Sequence, residues 1–333
     1  MKINHLITAA AASLLLASCN KDDSGNAKLS HFPEDGVMRV TTSVNEAQLT
    51  RAGIDNTNIT EFPFYLQIIT GDGTVDYNYF EKISYNETTG EWEPENQMLW
   101  KNSTTQITMT AVGLLLTENN INGSARLSVN QYQSIDEGSL ALTDLLYMKA
   151  TTIANPSTET ELLDDEGKLV IKFKHALSKI DINLTLNNQF AKMNVAKTDI
   201  TDITIGGTIR QYDFTPKTGA VTPRIDETAT DLYPYQSAYT APSAENFNRA
   251  EVKYEAIVLP QTVTAGTLMV SFKIQGKPYL WTSTEDITFE QGKRYTFNLQ
   301  VGDDVVTISK NGFSVTAWDK TNESTSAHTL ETD

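Results

Sequence analysis

The sequence predicts an all-β protein built of sandwiches in two halves. Three observations carry this expectation. Short runs rich in Thr, Ile, Val, Tyr and Phe follow one another, separated by Gly, Asn, Asp and Pro. Several runs alternate strictly: Tyr295, Phe297, Leu299 and Val301 share one face, while Arg294, Thr296, Asn298 and Gln300 share the other. In the same way Ile180, Ile182, Leu184 and Leu186 alternate with Asp181, Asn183 and Thr185. A period of two with one apolar face marks a half-buried strand over a core. Helical stripes are hard to find, and many short strands with turn signals between them define a sandwich class.

Along the chain, the first element is not part of the fold. Lys2 gives a positive start, and residues 6–17 are apolar apart from Thr8 and Ser13. That run is too short to span a bilayer, which takes about 20 apolar residues, and has the length of a signal-peptide core. It ends at Leu16-Ala17-Ser18-Cys19, and Cys19 is the single cysteine of the 333 residues. One thiol can form no internal disulfide and cannot by itself hold a structural metal. The four residues resemble the lipobox of bacterial lipoproteins, which implies cleavage before Cys19, acylation of Cys19 and anchoring of the chain by the lipid. The following Asn20-Lys21-Asp22-Asp23 resembles the acidic surface-export signal of Bacteroidota lipoproteins.

Strands are expected at 38–45, 62–70, 106–112, 168–174, 180–186, 202–205, 208–214, 252–259, 267–274, 294–301 and 313–318, with 140–148 readable as a short helix or a buried strand. In the first of these Met38, Val40, Thr42 and Val44 alternate with Arg39, Thr41, Ser43 and Asn45. Residues 151–167, polar and acidic around Pro156, read as the linker between two halves. The expected division is therefore a signal peptide at 1–18, a tether and propeptide at 19–51, an N-terminal sandwich at 52–160 and a C-terminal one at 161–333. Residues 222–248, with Pro223, Pro234 and Pro242, read as a long loop within the second half.

A formal net charge of −16 and a pI near 4.7 exclude the basic stripes that a nucleic-acid partner needs. Hydrophobic content of 39% is enough for real cores. Of four histidines, His5, His31 and His328 lie in the signal, tether and tail, and His175 sits alone at a strand end. No metal-spaced His pair, nucleophile elbow or phosphate loop is present, so no catalytic residue, cofactor or metal is expected. The carboxylates read as solvated faces.

A second landmark is Leu49-Thr50-Arg51-Ala52-Gly53, an Arg–Ala bond beside the polar stretch 54–61 and just after the first strand. Exposed polar loops are where proteases cut. Taken with the lipobox, the run Phe173-Lys174-His175-Ala176-Leu177-Ser178-Lys179-Ile180, the Val258-Leu259-Pro260-Gln261 that follows a long strand, and the closing pattern of 292–301, Ile308 and 313–318, the chain resembles the fimbrillin family of Bacteroidota, the subunits of lipoprotein-derived type V pili.

That resemblance implies two transthyretin-like β-sandwich domains in tandem and polymerisation by strand exchange. The precursor would reach the outer surface as a lipoprotein, with its lipid in the outer membrane. An arginine-specific surface protease would cut between Arg51 and Ala52, removing a strand within 37–50 and opening a groove. The donor for that groove, from another fimbrial subunit, would lie within 305–318. Val305 with Thr307, then Phe313, Val315 and Ala317, are its expected alternating residues, on a hinge at 309–312 (SKNG). The implied output is cell adhesion from the surface fimbria, as a stalk or tip subunit; the polar tail 320–333 suits a tip subunit as well as a stalk. The alternative is a monomeric surface lipoprotein that binds host glycan or protein through Tyr233, Tyr235, Tyr239 and Trp281.

Overall fold

A computed structural model of the chain describes residues 31–44, 53–113, 117–193, 195–246, 249–302 and 304–318. Cys19, the lipobox, Arg51, Ala52 and the tail 320–333 lie outside the described residues.

In chain order the strands are β1 (Val40–Val44), β2 (Phe64–Thr70), β3 (Tyr79–Asn86), β4 (Glu91–Pro94), β5 (Ile107–Val112), β6 (Ala125–Ser128), β7 (Leu146–Ile153), β8 (Leu169–His175), β9 (Ser178–Leu186) and β10 (Ile200–Gly206). They continue as β11 (Gln211–Thr215), β12 (Ala220–Pro223), β13 (Tyr235–Thr240), β14 (Ala250–Val258), β15 (Thr262–Val263), β16 (Met269–Ile274), β17 (Lys277–Thr282), β18 (Ile287–Thr288), β19 (Lys293–Val301) and β20 (Val306–Ala317). Helix is confined, among the described residues, to α1 (Glu118–Asn122), α2 (Glu137–Ala141), α3 (Gln189–Lys192) and four single 3₁₀ turns. The fold is all-β, as the alternation requires.

The first sheet closes on itself in the order β1-β4-β3-β2-β5-β7-β8. Its interior is a core of Val40, Phe64, Leu66, Ile68, Trp92, Met109, Ile171 and Phe173, among others. Phe64 packs edge-on against both Trp92 and Phe173, at 5.2 and 5.1 Å between ring centroids. The second core lies against the five-stranded sheet β13-β14-β9-β19-β20, opposed by the three-stranded sheet β10-β16-β17. The inward residues of β9 and β19 foreseen from alternation are all buried. These two strands run parallel, with Ile180 beside Tyr295 and Leu186 beside Val301. Where β13 stops short, the buried Gln133 amide takes over as neighbour to β14: it accepts from Ile257 N at 2.7 Å and donates to Ile257 O at 2.8 Å.

Three expectations about organisation are corrected. The stretch 151–167 does not separate the two sheets: it joins β7 to β8, which pair in the same barrel through Leu146–His175 and Tyr147–Lys174. The chain changes sheet at Ala176–Leu177, between β8 and β9, so an expected boundary at 160/161 falls inside a barrel connection. A polar, acidic surface connection and an interdomain linker have the same composition, because both face water. Residues 222–248 are not one loop, since β13 forms there and pairs with β14 from Tyr235–Glu255 to Thr240–Glu251. As an edge strand it carries Gln, Ser and Thr without an apolar alternation. Finally, 140–148 is neither one helix nor one strand: it holds the end of α2 and the start of β7.

Candidate functional site

β1 is the element that the sequence marks as separable, and its place in the barrel is specific. It runs parallel to β8 through five consecutive pairs, from Val40–Leu169 to Val44–Phe173. On its other side it meets β4 at a single pair, Val40–Trp92. A cleft of about 700 Å³ opens along that side, walled by Met38, Arg39, Trp92, Met98 and Lys168. The inward face of the segment is nevertheless core: Met38, Val40 and Val44 are 1–2% exposed. Burying such side chains stabilises by roughly 1.5–3 kcal/mol each. β1 is thus held by apolar contact, by a continuous ladder with β8 and, on its other side, by an interrupted set of bonds: the Val40–Trp92 pair, Met38 N to Met98 O upstream and Val44 to Asn56 downstream.

The charges around it are local. Arg39 and Asp35 pair at 2.5 Å, and the guanidinium together with the Val37 amide holds the Asp35 carboxyl down to about 2. Lys168 binds Glu91 and Glu166 at 2.8 and 2.9 Å across the mouth of the cleft, and both carboxylates raise its ammonium above the usual range.

β20 forms the opposite edge of the molecule's second sheet and pairs with β19 alone. Phe313, Val315 and Ala317 stand opposite Phe297, Tyr295 and Lys293, with Phe313 buried against Phe297 at 5.1 Å between centroids. Val305 and Thr307, however, are both exposed, and Val305 precedes the strand. The inward residues of that part are Val306, opposite Val301, and Ile308, opposite Leu299. The parity changes because β19 advances two residues, from Phe297 to Leu299, while β20 spends five, from Phe313 back to Ile308. The extra residues form a bulge at 309–312 that resets which face is inward. The expected hinge sequence SKNG is this bulge. A Cβ on Gly312 would stand 2.6 Å from Ser309 O and 2.8 Å from Asn298 O, so only glycine passes there undisturbed.

Just after β20, Trp318 is 1% exposed and lies flat on His175, the last residue of β8, with centroids 4.1 Å apart and planes 3° from parallel. His175 Nδ1 meets the buried Asp144 carboxylate at 2.9–3.0 Å. The same carboxylate accepts from Ile54 N at 2.9 Å. Burial and the Asp144 charge together raise the neighbouring Tyr212 phenol far above its usual range. Sequence reading left His175 as an isolated packing residue and had no signal for Asp144, which sits 31 positions away.

The expected aromatic ligand loop is not brought together. Trp281 is 7% exposed, tilted against Phe297 at 5.5 Å, and belongs to the core; on β17 its alternation points inward. Tyr239 donates its hydroxyl to Val195 O at 2.8 Å. Tyr235 begins β13. Tyr233 stacks instead on Tyr132, at 4.8 Å and 11°, a partner the sequence did not single out. Among the described residues no three His, Cys, Asp or Glu side chains are grouped to hold a metal ion.

With this geometry in place, the comparisons assign the class. Residues 50–318 match the Fimbrillin-like family, and the chain belongs to it. Among solved structures it is similar to a candidate cell adhesion protein of Bacteroides uniformis, at 16% identity over 86% of this chain and 99% of that one, with a TM-score of 0.57. It is also similar to a fimbrial protein of Bacteroides vulgatus (12% identity, 85% and 99% covered, TM-score 0.45) and to the tip fimbrial protein Mfa3 of Porphyromonas gingivalis (9%, 77% and 94%, TM-score 0.42). The first of these shares the fold. No curated protein matches the chain.

Proposed function

We propose that the chain is a structural subunit of a surface fimbria, stalk or tip, that supports cell adhesion. In this reading it is exported as a lipoprotein through Cys19, held at the outer membrane as a precursor, cut after Arg51 by an arginine-specific protease, and polymerised with other fimbrial subunits by strand exchange. The observation that carries the reading is β1. It lies upstream of Arg51, completes the barrel, and buries Met38, Val40 and Val44 while pairing fully with β8 alone. Its loss would leave an apolar groove and an unpaired edge on β8, both costly in water and both satisfied by an incoming strand. β20 supports the donor role: it is an edge strand with Phe313 and Val315 on its inward face.

The test is N-terminal sequencing and intact mass of protein sheared from its native cell surface. A start at Ala52 without lipid is the expected result. An acylated Cys19 on every detectable form would remove the trigger for polymerisation and sink the reading. Deletion of 305–333 is expected to abolish polymer while the cut barrel remains soluble.

A further inference from the structure

The strand proposed to leave and the strand proposed to be donated are connected within one molecule. The end of β1 is tied to Asn56: Val44 N donates to Asn56 Oδ1 at 2.7 Å, and Asn56 Nδ2 donates to Val44 O at 3.0 Å. Asn56 belongs to the tight turn 55–58, whose Asn58 amide binds back to Gly53 O at 3.0 Å. The next residue, Ile54, donates its N–H to Asp144 at 2.9 Å, and Asp144 pairs with His175 beneath the Trp318 ring. Gly53 is wedged between the two ends of this chain of contacts. A Cβ there would stand 3.2 Å from Asp144 Oδ2 and 3.4 Å from the Trp318 ring, and its φ of +104° belongs to glycine. Trp318 N donates to Gly292 O at 2.8 Å and closes the end of β20.

We propose that β1 and β20 are coupled through Asn56, Gly53–Ile54, Asp144, His175 and Trp318, so that loss of β1 loosens the end of β20 in the same subunit. The physical basis is the buried carboxylate. Asp144 is 2% exposed and depends on the Ile54 N–H and on His175; a buried charge deprived of a donor is costly, so the site stays closed only while both partners stay docked. Trp318 is the cover that keeps water from the Asp144–His175 pair, and Gly53 is the backbone that Trp318 packs on. Loss of β1 removes both Val44 bonds that steady the 55–58 turn. The Ile54 N–H then moves away from Asp144, and Trp318 loses its seat. A subunit would free its own C-terminal strand only after its own groove had opened, which guards against premature pairing. The direction of this coupling rests on the reading that β1 is removed and β20 is donated; the coupling itself does not.

The experiment is hydrogen exchange by mass spectrometry on the uncut full chain, comparing wild type with Asp144→Asn, Trp318→Phe and Asn56→Ala. Exchange about tenfold faster in both 53–58 and 313–318, with β2 and β5 unchanged, is expected in each variant, a factor of the size that the loss of about one hydrogen bond produces. Asn56→Ala is the decisive variant, since Asn56 is exposed and its side chain bonds to Val44 at the end of β1, so misfolding of the buried pair does not enter. Faster exchange confined to the mutated segment overturns the proposal. Polymerisation of the same proteins after cleavage separates the two ideas. Coupled exchange without polymer upholds the connection and sinks strand exchange. Polymer at the wild-type rate with uncoupled exchange does the reverse.

Discussion

Val40 of β1 pairs with Trp92 of β4, the one ladder pair between those two strands, and just upstream the same seam is carried on by the Val37–Leu99 bridge, with Met38 N donating to Met98 O and Trp100 N to Gly36 O, both at 2.9 Å. A cleft of about 700 Å³ lies along this seam. β1 is therefore joined to its β4 side by an interrupted ladder and contributes strongly through the burial of Met38, Val40 and Val44.

Val40→Ala tests that balance. Removing two buried methyl groups is expected to lower the stability of the uncut chain by about 1–3 kcal/mol in urea unfolding. In protein cut after Arg51 and freed of its propeptide the cost should vanish, because Val40 is no longer there. An equal cost in both forms would mean that β1 stays in place after cleavage.

Gly312→Ala addresses the bulge in β20. The new methyl would meet two backbone oxygens at 2.6 and 2.8 Å, which backbone must move to relieve. A loss of about 1–3 kcal/mol is expected, with faster amide exchange in 306–316 and none in the barrel strands. Unchanged exchange would show that the bulge is soft and that Val306 and Phe313 find their faces without it.

The outer face of the second sheet carries a buried set of charges with opposing pH responses. Lys179 binds Glu255 at 2.7 Å, and Arg294 binds Asp181. Burial pushes both carboxyls up. For Glu255 the combined pull of Lys179, Ser237 and Arg294 outweighs burial and leaves it below its ordinary 4.5; for Asp181 burial prevails and leaves it above 3.8. A depressed carboxyl contributes stability that is present above its unfolded value and lost as pH falls through the folded value. A raised one has the opposite sign, since the fold disfavours its ionised form. Glu255→Gln should therefore flatten the loss of stability below 4.5, the ordinary value from which Glu255 is depressed, and Asp181→Asn should steepen it just above 3.8, the ordinary value from which Asp181 is raised. At neutral pH, Glu255→Gln is expected to cost about 2 kcal/mol by removing the carboxylate 2.7 Å from the buried Lys179 ammonium, which keeps Asp181 at 4.0 Å. Parallel acid limbs in the two variants would refute this assignment.

Trp281→Ala and Tyr132→Ala separate core from surface. Trp281 packs on Phe297 within the second core, so its loss is expected to cost about 3–5 kcal/mol by thermal or urea unfolding. Tyr132, 53% exposed on its Tyr233 partner, should cost under about 1 kcal/mol. Similar costs would contradict the burial of the two rings.

Much of this protein was determined by its sequence alone. The inward faces of β9 and β19 follow from a two-residue period, and the covering core had to exist once Ile180, Ile182, Phe297 and Leu299 shared one side. β1 was legible for the same reason, in Met38, Val40 and Val44. What alternation does not carry is anything set by partners far along the chain. The parity change in β20 depends on a bulge forced by β19, and the polar edge strand β13 exists because β14 offers it a ladder. Trp281 was read as a surface ring that could stack on a ligand, yet its register opposite Val270 turns it into the core. The Asp144–His175–Trp318 stack joins residues 31 and 143 positions apart in sequence, counted from His175. Local periodicity assigns a residue to a face; only the closing of sheets against each other decides which faces, charges and chain ends come into contact.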